Sequence, residues 1–163
     1  MRFSRWFAVN SSWRVNDIAL LLFRVMLAAS LFVRHGWEKL SGFSQMAQHF
    51  PNPLHIGVVP SLAYATFTDG ICSLLIVLGL ATRAVGFFVV VNLAVVFFMV
   101  HHALSLPGGP PGMPLLFLRD HVELVFVYLA GFLMLTIAGP GNISLDRKRS
   151  VTDGTYPKPI AAR

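Results

Sequence analysis

Apolar residues gather in four long runs, at 18–33, 61–81, 84–104 and 122–138, separated by short polar or Pro/Gly-rich stretches. Each run approaches the ~17–25 residues that carry an α-helix across a bilayer. The first and last reach that length when extended through Trp37 and back to Leu115. The pattern predicts an all-α protein, an integral membrane four-helix bundle with no soluble domain. Residues 1–16 form an interfacial N-terminus, 17–146 the membrane domain and 147–163 a basic tail.

Composition agrees, because only 12% of the 163 residues are charged and 55% are apolar, against ~25% charged in a typical soluble domain. Arg2, Arg5 and Arg14 ahead of an apolar run also resemble a secretory signal peptide. Arg24 inside the apolar stretch, with no convincing small-residue cleavage site after it, argues for a retained helix. Arg5, Trp6, Phe7 and Trp13 then anchor at the headgroups.

Charge sets the expected orientation. Arg2, Arg5, Arg14, Arg83, Arg147, Lys148, Arg149, Lys158 and Arg163, nine basic residues, fall on one side of such a bundle. Arg34, Lys39 and Arg119 fall on the other. By the positive-inside rule both termini are cytoplasmic, which makes the chain a multi-pass, N-in/C-in protein. The sequence pI of about 10.3 is thus a topology signal and a source of attraction to anionic lipid. The basic tail lacks any nucleic-acid recognition pattern, so no nucleic-acid partner is expected.

The two outer loops differ in kind. In "GFSQMAQHFPNPLHIG", Phe43, Met46, Ala47 and Phe50 follow helical spacing, predicting a short amphipathic surface helix that Pro51 and Pro53 stop. "SLPGGPPGMPLL" is too rich in Pro and Gly to be helical.

Polar residues inside the runs are the candidates for chemistry. Arg24 and His35 lie eleven residues apart, about three α-helical turns, hence within roughly 20° of each other and ~16 Å apart along the axis. Lys39 shares that face if the helix persists. Counted at ~1.5 Å per residue, Asp69 and Asn92 come to depths similar to Arg24. An Arg24–Asp69 pair, with Asn92 satisfying a further donor, is therefore expected; as a structural knot it fixes helix packing, and as a site it marks a pathway or ligand.

His35, His49, His55, His101, His102 and His121 all fall at or beyond the outer helix ends, joined by Glu123. His101 and His102 point about 100° apart on a helix, and the sequence has no spaced His or Cys ligand motif, so no metal site is expected. An acid/base or quinone-contacting role suits His35, His101 or Glu123 better, since a quinone carbonyl needs a polar group in an apolar pocket. Cys72 is the single cysteine, which rules out an internal thiol–disulfide cycle. No phosphate-binding loop or nucleophile elbow is present.

Three segments together resemble the DoxX family of small bacterial membrane proteins. "RVMLAASLFVRHGWEKL" is similar to its first-helix signature, with Arg24, His35, Gly36 and Lys39 in place. "DGICSLLIVLGLATR" resembles its second-helix motif, an acidic residue before an apolar run and a Gly-Leu-x-Thr-Arg turn. "HVELVFVYLAGFLMLTIAGPGNISLD" resembles its last helix, with Glu123 and then Gly-Pro-Gly and Ser-Leu-Asp. The family usually has Glu where this chain has Asp69, a shorter carboxylate.

The resemblance, covering about residues 17–146, implies a four-helix protein of the bacterial cytoplasmic membrane linked to redox systems. Named members are associated with thiosulfate:quinone oxidoreductase and others with oxidative-stress complexes. Two functions follow as expectations. The first is a subunit or accessory of a quinone-linked membrane redox system, with quinone as the cofactor. Arg24, His35, Lys39, Asp69, Asn92, His101 and Glu123 are then its ligand or proton candidates. The second is a non-catalytic membrane anchor or assembly partner of a redox or metal-handling complex. Beyond the lipid bilayer, the candidate partners are a redox protein and a second copy of the chain.

Overall fold

The computed structural model describes residues 13–100 and 122–147. Those residues form helices joined by turns, with no strand among them. Helix α1 comprises Trp13–Leu31, a π-helical turn Phe32–Gly36 and a closing piece Trp37–Ser41; α2 is the short Phe43–Met46. Helix α3 comprises Val58–Thr66, a π-helical turn Phe67–Cys72 and Ser73–Leu78. Helix α4 comprises Thr82–Val95 and a π-helical turn Val96–Val100, and α5 is Val122–Ala138.

Among the described residues three stretches are long and apolar enough to cross a membrane: Val15–Ser41, Val58–Leu78 and Thr82–Val100. Helix α5 is apolar but shorter, 17 residues, about 25 Å at 1.5 Å per residue. Its expected extension back to Leu115, the second outer loop and the tail after Arg147 lie outside the described residues, as does the stretch before Trp13.

The chain's own turn chemistry sets the helix ends. Gly79, in the left-handed region at φ 72°, ends α3. The Leu80 amide donates to the Leu75 carbonyl at 2.9 Å and closes that end. A side chain on Gly79 would also meet Arg24 Nη1 at 2.6 Å, so this turn requires glycine twice over. Three residues later α4 begins. Its first free amides are capped from the far end of the chain: Asp146 Oδ1 accepts from Ala81 N at 2.7 Å and Asp146 Oδ2 from Thr82 N at 3.0 Å.

Helix α4 packs along α5, and α1 packs along the second half of α3. Ala28, Leu31, Cys72, Ile76, Val85, Val89, Leu93, Tyr128, Phe132 and Leu135 form one buried cluster between them. Large apolar side chains also face outward, among them Met26, Val33, Phe87, Val127, Met134 and Ile137. Helices apolar on all sides are made for lipid rather than water. The protein is thus a membrane protein with two distinct ends. The turn end carries the α3–α4 turn and residues 139–147, and the loop end carries residues 42–57.

The expected amphipathic surface helix is only partly formed. Helix α2 covers four residues, and turns then lead to Phe50 and the two prolines.

Candidate functional site

Arg24 is 1% exposed, and its partners are not those expected from depth alone. Nη1 donates to the Pro140 carbonyl at 2.6 Å and Nη2 to the Ile143 carbonyl at 3.1 Å. Positive φ at Gly139 and Gly141 turns the chain there and brings those carbonyls round to the guanidinium. The knot extends outward. Asn142 donates to Asp17 through its backbone N at 3.2 Å and its Nδ2 at 2.8 Å, and Arg147 donates to Asn142 Oδ1.

The expected Arg24–Asp69 pair is therefore corrected. Side chains on an α-helix lean toward its N-terminus, so the long Arg24 side chain runs back to the turn end, away from Asp69. Matching Cα depths compares where side chains start and not where they finish. The same lean brings Lys39, four residues beyond His35, down from the loop end onto Asp69. The π-helical turn Phe32–Gly36 contains His35 and interrupts the uniform α-helical spacing between Arg24 and Lys39.

At the loop end, Lys39 Nζ lies 2.8 Å from Asp69 Oδ2. Its second contact is the His35 carbonyl at 3.4 Å. Asp69 Oδ1 accepts from Asn92 Nδ2 at 3.1 Å, while the Thr68 hydroxyl beside it has the closer Tyr64 and Ala65 carbonyls, each at 3.1 Å, as acceptors. Asp69 and Asn92 are each only 5% exposed, so the carboxylate is held by one ammonium and one amide donor out of water. Such a buried group is tolerated only when paired and hydrogen-bonded.

Backbone geometry fixes this contact. Asp69 belongs to the π-helical turn of α3 and Gly36 closes the one in α1. A Cβ on Gly36 would lie 2.3 Å from the Asp69 carbonyl oxygen and 3.0 Å from Gly70 Cα. The two helices touch through their backbones here, which sets Lys39 opposite the carboxylate.

The ion pair forms part of the wall of a cavity of about 630 Å³, within the ~300–1,000 Å³ of small-molecule pockets. All three π-helical turns among the described residues contribute to it: His35 from α1, Asp69 from α3, Val96 and Val100 from α4. π-Helical turns in α-helices often occur at functional sites. Leu31, Ala65, Leu93 and Val125 supply apolar wall, and Phe50, Pro51, Pro53, Leu54 and Ile56 of the outer loop cover one side. Asn52 pins that loop, its Oδ1 accepting from Gly57 N and Ser61 Oγ, both at 3.1 Å.

Of the sequence candidates, Lys39, Asp69 and Asn92 thus meet, and His35 lines the same cavity. Arg24 sits apart at the turn end. Glu123 is exposed and is not among the lining residues, so it does not share a pocket with His35 among the described residues. His101 lies outside the described residues.

Two lining residues escape a search for charge. Tyr128 stands edge-on to His35, ring centres 6.3 Å apart, and donates its hydroxyl to Ser30 Oγ at 3.1 Å. Tyr64 donates to the Phe88 carbonyl at 3.1 Å. A polar-tipped aromatic within an otherwise apolar helix was the available signal for both. No group of three or more metal-ligating side chains occurs among the described residues.

The family model described as DoxX matches residues 19–102, which takes in Arg24, the cavity's ion pair and Asn92. The inner membrane protein YphA of Escherichia coli (strain K12) is 27% identical over 138 residues, covering 82% of this chain and 91% of that protein. No solved structure matches. By the extent of the family match, more than half of its length, this chain belongs to the DoxX family.

Proposed function

We propose that the protein is an accessory of a quinone-linked redox system in the bacterial cytoplasmic membrane, and that it holds a quinone-type carrier in the loop-end cavity. One observation carries the reading: a cavity of about 630 Å³ with largely apolar walls and the Lys39–Asp69–Asn92 group at its side. A carrier of this class combines an apolar ring and tail with carbonyl oxygens, so it needs much greasy surface and a few placed donors. Lys39, Asn92 and His35 are among the polar residues that line the cavity. The expected fold for this role has four membrane crossings with both termini cytoplasmic, so that the cavity opens toward the periplasmic face.

The test is direct. Protein purified in mild detergent is extracted for quinone, and a short-chain quinone is titrated into carrier-free protein by equilibrium dialysis. The expected result is one carrier per chain, abolished by Ala65→Phe, which fills the cavity from a buried lining position. Wild-type protein that neither carries nor binds quinone would defeat the proposal. It would leave the non-catalytic anchor, whose polar groups serve packing alone.

A further inference from the structure

Lys39 and Asp69 together carry no net charge, and they are the ion pair in the cavity wall. Of the three Lys39 donors, one goes to Asp69 and one to the His35 carbonyl, which leaves a third without a described partner. Asn92 spends one amide hydrogen on Asp69 Oδ1 and keeps its carbonyl oxygen uncommitted among the described residues. Both cavity tyrosines have already given their hydroxyl hydrogens, to Phe88 and Ser30. Arg34 also lines the cavity but is exposed to solvent, so the strongest donor held out of water and open to a ligand is Lys39.

We infer that the cavity selects a lipid-soluble acid, a phenol or enol on a ring, and takes it up together with its proton. This rests on the cavity being a carrier site. An anionic oxygen added beside the intact pair would leave one uncompensated negative charge in apolar surroundings, which is strongly disfavoured. Moving one proton removes the problem. The ligand O–H bond breaks and an O–H bond forms on Asp69, while the Lys39 ammonium exchanges the carboxylate oxygen for the ligand oxygen. The site is neutral before and after, and nothing is oxidised or reduced. Oδ2 is the oxygen that takes the proton. Oδ1 already accepts from Asn92, whereas the described donor to Oδ2 is the ammonium that leaves.

The other ionisable groups around Asp69 come from each neighbouring element. Helix α1 brings Arg34, His35 and Glu38, α3 itself brings Tyr64 and Cys72, and α5 brings Tyr128. Helix α4 brings only the neutral Asn92 among the described residues, and the loop residues lining the cavity are not ionisable. Arg34 and Glu38 are exposed and opposite in sign. His35, half-buried, and Glu38, exposed, are thus the competing proton acceptors.

The experiment uses the full chain in lipid nanodiscs and two probes, 2-hydroxy-1,4-naphthoquinone, ionised near neutral pH, and its methoxy analogue, which cannot ionise. Calorimetry in buffers of different ionisation enthalpy counts the protons exchanged. Wild type is expected to take up about one proton per hydroxy probe bound, with affinity falling about tenfold per pH unit on the alkaline side. The methoxy probe is expected to bind with no proton uptake and a flat pH profile. Asp69→Asn should bind the hydroxy probe without proton uptake, Lys39→Met should lose it by at least about tenfold while keeping the methoxy probe, and His35→Gln should leave the count unchanged. No proton uptake by wild type overturns the inference without any variant having to fold. So does a count lost in His35→Gln and kept in Asp69→Asn. Methoxy binding alone defeats this inference and leaves the carrier site standing; binding of neither probe defeats the carrier site itself.

Discussion

Arg24, buried, and Lys39, half-buried, are basic residues on one helix, and they serve different ends because their partners differ in kind. Arg24 spends its planar fork on two backbone carbonyls, a pattern that a guanidinium satisfies and an ammonium does not. Lys39 faces a titratable carboxylate beside a cavity. Arg24→Leu removes two charge-assisted hydrogen bonds, each worth ~1.5–3 kcal/mol, and strands the Pro140 and Ile143 carbonyls. Folded yield and detergent-unfolding midpoint are expected to fall sharply, and Arg24→Lys to recover only part. Lys39→Leu or Asp69→Leu alone strands a buried charge, at roughly 3–5 kcal/mol, and the double replacement is expected to cost less than either single change. Combining Arg24→Leu with Asp69→Leu should instead give additive losses, within about 0.5 kcal/mol for sites that share no partner. Strong coupling in that second cycle would show that Arg24 and Asp69 interact after all. The need for buried partners was legible in the sequence at both ends. Their identity was not, because residue counting gives the height of a Cα and leaves open which way a long side chain leans.

The helices owe their contacts to features that hydrophobic patterning does not carry. Apolar runs located the helices, and Gly79 in the Gly-Leu-x-Thr-Arg turn ends α3, whereas the short helix before Pro51 stops earlier, at Met46. The π-helical turns left no such trace, since their composition is that of the α-helix on either side. They decide where the cavity is, because one in each of α1, α3 and α4 lines it. Gly36→Ala tests the closest of these contacts. Its Cβ would meet backbone atoms of Asp69 and Gly70, which cannot swing aside, so lower thermal stability and loss of probe binding are expected together. Gly131→Ala is the control, as its Cβ would meet only the flexible Leu27 and Phe23 side chains at 3.0–3.5 Å. An equal effect of both changes would refute the backbone contact as the element that shapes the cavity. At the turn end, the Gly-Leu-x-Thr-Arg and Gly-Pro-Gly…Ser-Leu-Asp segments turn out to be two halves of one device. Asp146 caps α4 while Gly139 and Gly141 position the Arg24 acceptors. Asp146→Ala should cost ~0.5–2 kcal/mol, the usual range for losing such a cap, read as a shift in the same unfolding midpoint.

Across the whole molecule the two polar layers are separated by apolar packing. Ala28 and Leu31 on α1, Ile76 on α3, Val89 on α4 and Phe132 on α5 fill the bundle between Arg24 and the cavity. That plug leaves the buried polar groups at opposite ends with no polar link among the described residues, which favours a one-sided binding site over a path through the membrane. One-sidedness makes orientation decisive for any partner, and the single cysteine makes it measurable. Cys72 is fully buried, so a membrane-impermeant maleimide is expected to leave wild type unlabelled in intact cells and to label it only after denaturation. Replacing Cys72 by Ala then gives a silent background for single cysteines. Gln48 is exposed at the loop end, and Thr152 lies in the basic tail. The proposed orientation, with nine basic residues on the terminal side, has the tail in the cytoplasm. Gln48→Cys should therefore react from the periplasm in cells with a permeabilised outer membrane, and Thr152→Cys only after the inner membrane is opened. The reverse pattern would turn the protein over. It would place the cavity and its Lys39–Asp69 pair against the cytoplasm, where a soluble reductase rather than a periplasmic or membrane-bound one would have to serve it.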